Sequence, residues 1–203
     1  MKVPDDEIEE IMDPAPPPGR KLLHDFYNRP ALLVAREALG MVLVWHGDAG
    51  RQAGRIVEVE AYEGPQDAAS HARSGPGGRA AVMFGAAGYA YVYLIYGIHH
   101  CLNLVTGPEG HPAAILIRAL EPLEGIAGGT NGPGRLCKVL GIDRRQHGFD
   151  LAGDQMYLED RGLAVRDEDV VARPRIGIKF AGEPWISQPW RFYERGNKWV
   201  SKK

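Results

Sequence analysis

The chain has 203 residues, 44% apolar and 25% charged, which fits one globular domain with a sizeable core. Its 26 glycines and 15 prolines disfavour a helical bundle, and a net charge of −2 excludes a uniformly basic polyanion binder. Two cysteines, Cys101 and Cys137, are too few for a disulfide framework, and no apolar run reaches the roughly 18–20 residues of a membrane helix. The expected setting is therefore the reducing cytoplasm, away from membranes.

Residues 1–19 are acidic and then proline-rich, which predicts a flexible leader ahead of a domain over 20–203. Residues 1–13 hold one of the 24 basic and six of the 26 acidic side chains, so the remainder carries a surplus of +3. Phe26, Leu32, Leu33, Ala35, Ala38 and Leu39 are spaced for a helix over 25–39, with Pro30 near its first turn. MVLVW (41–45) and RIVEVEAY (55–62) are strands joined by HGDAGR, a hairpin connection. Residues 63–88 lack regular signals, and so long a loop in a small domain often carries function.

YAYVYLIY (89–96) and CLNLVT (101–106) predict a second hairpin, and the apolar AAILIRAL (113–120) a strand buried on both faces. GPGRLCKVLGI (132–142) reads as a turn and a short helix; RIGIKF (175–180) and WRFYERG (190–196) are two further strand candidates. The fold class is α+β, one domain around an antiparallel sheet.

Alternation places Glu58, Glu60 and Tyr62 on one strand face, the two carboxylates about 7 Å apart. A strand glutamate is ordinarily solvated, and spacing does not choose between the two. Tyr89, Tyr91 and Tyr93 share a face, with Tyr96 opposite by parity; such aromatics suit cross-strand packing or stacking on flat rings. Arg118 interrupts an apolar run and needs an acidic partner such as Glu58 or Glu60. His99, His100 and His111 lie close in sequence, but adjacent strand histidines point to opposite faces and no metal-ligand motif accompanies them. His71 lies alone in the long loop. No phosphate-loop pattern is present.

RIVEVEAYEGPQDAASHA, VMFG (82–85), YAYVYLIYGIHHCLN, ILIRALEPLEG, NGPGRLCKVLGI and RIGI…WRFYERGN occur in that order over residues 22–201. Together they resemble the alkyladenine (3-methyladenine) DNA glycosylase family. EAY, YVYxxYG, CLN and RALEP carry most of the likeness.

The resemblance implies a compact domain with a curved, largely antiparallel sheet, flanking helices and a protruding β-hairpin that enters the minor groove of double-stranded DNA. Tyr96 at the hairpin tip would intercalate where a damaged purine has flipped out. The base would stack with Tyr62 and His71 on one side and Tyr93 on the other, beside Ala69. Asn103 would exclude guanine by meeting its exocyclic amino group. Glu60 would be the general base, with Arg118 and the Ile176 carbonyl holding the attacking water. No metal, cofactor or amine nucleophile is implied, so the expected enzyme is a monomeric, monofunctional glycosylase, nucleoid-associated in a bacterium. Its substrates would be alkylated purines, and hypoxanthine or ethenoadenine where base protonation assists.

The family's Thr-x-Arg-Asn stretch is here Gly77, Gly78, Arg79 and Ala80, and the Glu124–Asn131 connection is short. Two other functions remain open on sequence: a non-catalytic binder of damaged DNA on the same scaffold, and a metal hydrolase built on His99, His100 and His111.

Overall fold

A computed structural model describes residues 19–202. The leader read over residues 1–19 lies, apart from Gly19, outside the described residues. Nine strands form one antiparallel sheet: β1 (Arg20–Lys21), β2 (Val42–Gly47), β3 (Gly50–Tyr62), β4 (Ala90–Ile95), β5 (His99–Thr106), β6 (Ala113–Glu124), β7 (Met156–Asp160), β8 (Val170–Arg173) and β9 (Arg191–Glu194). Their order is β1-β7-β2-β3-β6-β5-β4, with β9 pairing both β3 and β8. Three helices flank the sheet: α1 (His24–Tyr27), α2 (Ala31–Ala38) and α3 (Pro133–Leu140). This is the expected α+β arrangement, a single compact domain. No described helix is long and apolar enough to cross a membrane.

Apolar residues of β3, β5 and β6, including Ile56, Leu102, Leu104, Ile115 and Ile117, meet Val34 and Ala38 of α2 and Leu136 and Leu140 of α3 in the main core. Burying each large aliphatic side chain contributes roughly 1.5–3 kcal/mol. β6 is buried from Ala113 through Leu120, as its mostly apolar run predicts. Gly134 in the first turn of α3 lets the helix press on β5, because a Cβ there would lie 3.0 Å from His99.

Three local expectations need correction. The helix expected over 25–39 is split, because Pro30 disfavours helical geometry at Arg29; it caps α2 from outside. RIGIKF is not a strand. The Ile176 N–H bonds to a carboxylate instead of a ladder partner, Gly177 takes φ +80°, and a 3₁₀ turn follows at Lys179–Ala181. The 63–88 segment is more ordered than its sequence suggests. It holds 3₁₀ turns at His71–Ser74 and Gly78–Phe84, and Ala72, Ala80 and Met83 pack with Tyr91, Val105 and Ala114.

The face carrying Glu58 and Glu60 is not wet. Both side chains are fully buried, and β3 is central in the sheet, pairing β6 along one edge and β2 and then β9 along the other. The β3–β6 register runs Ile56↔Leu120, Glu58↔Ala119, Val59↔Ile117, which leaves Val57 and then Arg118 as extra residues. Bulges of this kind re-aim side chains. Here Arg118 spans both acids, its Nε 3.0 Å from Glu58 and its Nη1 3.2 Å from Glu60.

Glu58 also accepts from Arg191 Nη1 at 3.1 Å and from the Ser201 N–H at 2.7 Å. Its role is structural: it ties β3, β6, β9 and the C-terminal segment together. Glu58→Ala leaves two buried guanidinium groups short of a partner and should lower the unfolding free energy by about 3–5 kcal/mol in urea denaturation. A loss below about 1 kcal/mol would contradict this role.

Candidate active site

Glu60, Tyr62, Ala69, His71, Tyr93, Tyr96, Asn103, Arg118 and Ile176 all line one open cavity of ≈420 Å³. They arrive from β3, the 63–88 loop, the β4–β5 hairpin, β6 and the 175–178 segment. The volume falls in the range of small-molecule pockets, roughly 300–1,000 Å³.

At the cavity wall, Glu60 Oε1 accepts from the Ile176 N–H at 2.7 Å and faces Arg118 Nη1 at 3.2 Å, while Oε2 accepts from the Tyr62 hydroxyl at 2.9 Å. These two hydrogen bonds do not exhaust a carboxylate's roughly four acceptor positions. Burial pulls against the Arg118 charge, but the adjoining Glu60 and Glu58 carboxylates outweigh it and raise its pKa. Burial, then the Glu60 charge, pushes the Tyr62 phenol well up, so Tyr62 stays a donor.

Aromatic rings form the opposite wall. Tyr91 and Tyr93 lie 5.4 Å apart with planes tilted 32°. Burial raises both phenols, Tyr91 to about 12. The His71 ring meets Tyr93 edge-on, with centroids 4.5 Å apart and planes at 78°. The slot implied between His71 and Tyr93 is therefore closed, since no planar ring fits between centroids so near.

Burial, and then the Arg79 charge, lowers the His71 pKa to about 4. Arg79 can only donate, so its 3.4 Å contact assigns His71 Nε2 as the acceptor. The His71 proton then sits on Nδ1, which donates to the Tyr91 hydroxyl at 2.8 Å. Arg79 also lies over the Tyr93 ring at 5.6 Å. Ala80 occupies a buried apolar position where the asparagine that the resemblance leads one to expect would need polar partners.

Asn103 is buried, its amide nitrogen donating to the Tyr91 carbonyl at 3.1 Å and the Cys101 carbonyl at 3.4 Å. Two carbonyls thus fix its orientation. Tyr96 belongs to the turn between β4 and β5, so strand parity does not govern it, and it lines the same cavity as Tyr93. It is the one non-glycine with positive φ among the described residues, at 54°, followed by Gly97 at 72°. Tyr96 is 82% exposed, and Ile98 (72%) and Phe180 (68%) are also bare. Tyr96 and Phe180 both line the cavity.

His99 lines this cavity and His111 instead contacts Glu63 at 3.2 Å. Among the described residues, no group of three or more His, Cys, Asp or Glu side chains could hold a metal ion. Sequence reasoning missed the start of α3, where Asn131–Arg135 line the cavity, and it missed Asp67 and Arg175 behind it. The charge that opens RIGI, ahead of the apolar Ile176 and Ile178, was the available signal for Arg175.

Residues 25–198 match the family model described as Methylpurine-DNA glycosylase (MPG). Several curated relatives bear the name "Putative 3-methyladenine DNA glycosylase". One from Anaeromyxobacter dehalogenans (strain 2CP-C) is 56% identical over 90% of this chain and 87% of its own length. One from Myxococcus xanthus (strain DK1622) is 50% identical over 89% of this chain and 93% of its own. A third, from Legionella pneumophila (strain Paris), is 47% identical over 90% and 99%. With that identity sustained across nearly the whole domain, the chain belongs to the methylpurine-DNA glycosylase family.

Proposed function

We propose that this DNA glycosylase flips alkylated purines of the 3-methyladenine kind, and hypoxanthine or ethenoadenine, out of double-stranded DNA and hydrolyses the N-glycosidic bond with a water activated by Glu60. The observation that carries the reading is the Glu60 carboxylate. It is fully buried, held by Arg118, Tyr62 and the Ile176 N–H, and still part of the cavity wall with acceptor capacity left.

The chemistry suits that placement. As the C1′–N bond breaks, its electron pair leaves with the purine and positive charge builds on the sugar, where a fixed carboxylate stabilises it. The water oxygen bonds to C1′ and its proton passes to Glu60. Arg118 and the Ile176 backbone orient the water. No lysine lines the cavity among the described residues, which favours hydrolysis over a Schiff base.

A cationic base gains by stacking on Tyr93, and a neutral His71 adds no repulsion. The flipped base takes the place on Tyr93 that the His71 edge now fills, so His71 swings aside as the base enters. Asn103, pinned by its two carbonyls, cannot turn away from the guanine amino group. Tyr96 fills the gap left in the duplex. A bulky residue at φ 54° costs about 1–2 kcal/mol that asparagine or glycine would largely avoid, a strain that points to function. In this reading the enzyme acts as a monomer, on DNA in the cytoplasm or nucleoid.

Duplexes carrying 3-methyladenine, hypoxanthine or ethenoadenine, beside undamaged controls, test the reading. Glu60→Gln should keep lesion binding and lose excision; normal turnover by that variant would sink the assignment. In the Glu60→Gln background, Tyr96→Asn should leave stability within about 1 kcal/mol and weaken lesion affinity about tenfold or more. Unchanged affinity would remove Tyr96 from DNA recognition. Because the folded His71 pKa lies below its ordinary 6.5, the stability it contributes is complete above pH 6.5 and is lost as pH falls toward about 4. The Tm of His71→Phe should therefore fall less than that of wild type across this window, and parallel slopes would count against a buried neutral histidine.

A further inference from the structure

Behind the cavity lies an ion pair that the chemistry above does not use. The side chains of Arg175 and Asp67 are both fully buried, with Arg175 Nη1 2.5 Å from Asp67 Oδ2 and Nη2 2.9 Å from Oδ1. Arg175 Nη1 also donates to the Ala61 carbonyl at 3.0 Å. The guanidinium is stacked on two rings, 4.7 Å from the Tyr62 centroid and 4.9 Å from the Trp190 centroid. Its Nε is buried with no partner, so the fork is aligned to Asp67 and the two rings rather than to its own full satisfaction. Asp67 in turn accepts from the Ala69 N–H at 3.0 Å and the Glu63 N–H at 3.3 Å.

Three of these links reach the cavity wall, through Tyr62, Ala69 and Ile176. Tyr62 donates to Glu60, Ala69 precedes the turn bearing His71, and Ile176, next in the chain after Arg175, gives its N–H to Glu60. We propose that the Arg175–Asp67 pair is a positioning element for the excision step, setting Tyr62 and the Ile176 backbone against Glu60. This rests on the reading of Glu60 as general base. Arg175 and Asp67 are fully buried and do not line the cavity; they act through the groups they fix. A planar, bidentate and doubly stacked guanidinium holds four elements in one geometry, which a lysine point charge at the same site cannot do.

The test is Arg175→Lys, with single-turnover excision measured on a lesion duplex and Kd for that duplex measured in the Glu60→Gln background. The expected result is a rate about 10²-fold lower, the size of effect an ångström-scale misplacement produces, with Kd within about threefold and an unchanged circular dichroism spectrum. A near-wild-type rate, or a loss seen in Kd rather than in rate, overturns the proposal. Should Arg175→Lys fail to fold, Asp67→Leu/Arg175→Met replaces the pair with apolar side chains that buried pairs often tolerate. A folded double variant that stays slow supports positioning, and one that recovers the wild-type rate overturns it. Glu60→Gln in the same assay separates the two readings, because its normal turnover would remove the general base whatever Arg175→Lys does.

Discussion

Four charges are buried side by side in the middle of the sheet, and they must balance. Glu58 and Glu60 bring two negative charges, Arg118 and Arg191 two positive, and each carboxylate shares Arg118. An isolated carboxylate at this depth would cost several kcal/mol and take up a proton. The pairing sets each buried carboxylate against a guanidinium, and Glu60 still forms part of the cavity wall. The three-strand enclosure of β3, the bulge at Arg118 and the return of the C-terminal segment to Glu58 all serve that condition.

The aromatic wall is closed on itself. His71 leans its edge on Tyr93 and is tethered to Tyr91 and Arg79. Moving it would give up the edge-to-face contact, roughly 0.5–1.5 kcal/mol beyond its buried area, together with both hydrogen bonds. The bare side chains at the hairpin and at Phe180 are the opposite case, apolar surface left uncovered around the opening.

Much of this was legible from residues. The alternation and flanking turns of β2 and β3, the apolar run of β6 and the proline–glycine punctuation of α3 announced those elements. Where the sequence misled, a tertiary demand was the cause. RIGIKF alternates like a strand, yet its backbone serves a carboxylate. Glu58 and Glu60 sit in a pattern that says polar face, and only their long-range partners, Arg118, Arg191, Ile176 and Ser201, show how both acids come to be buried. Spacing could not choose between the two acids because they share an arginine; the likeness to a known family chose one. Asp67 and Arg175, 108 residues apart, gave no local sign of one another.

The paired irregularity between β3 and β6 fixes chain length at this place. Val57 is surplus on one strand and Arg118 on the other, and the two offsets cancel, so Val59↔Ile117 resumes the register that Ile56↔Leu120 had. Losing one residue from either strand would leave a single offset and turn every side chain beyond it to the opposite face. Natural variation can therefore exchange side chains here far more easily than it can add or remove one. Insertions and deletions belong in the surface connections, such as the short Glu124–Asn131 link.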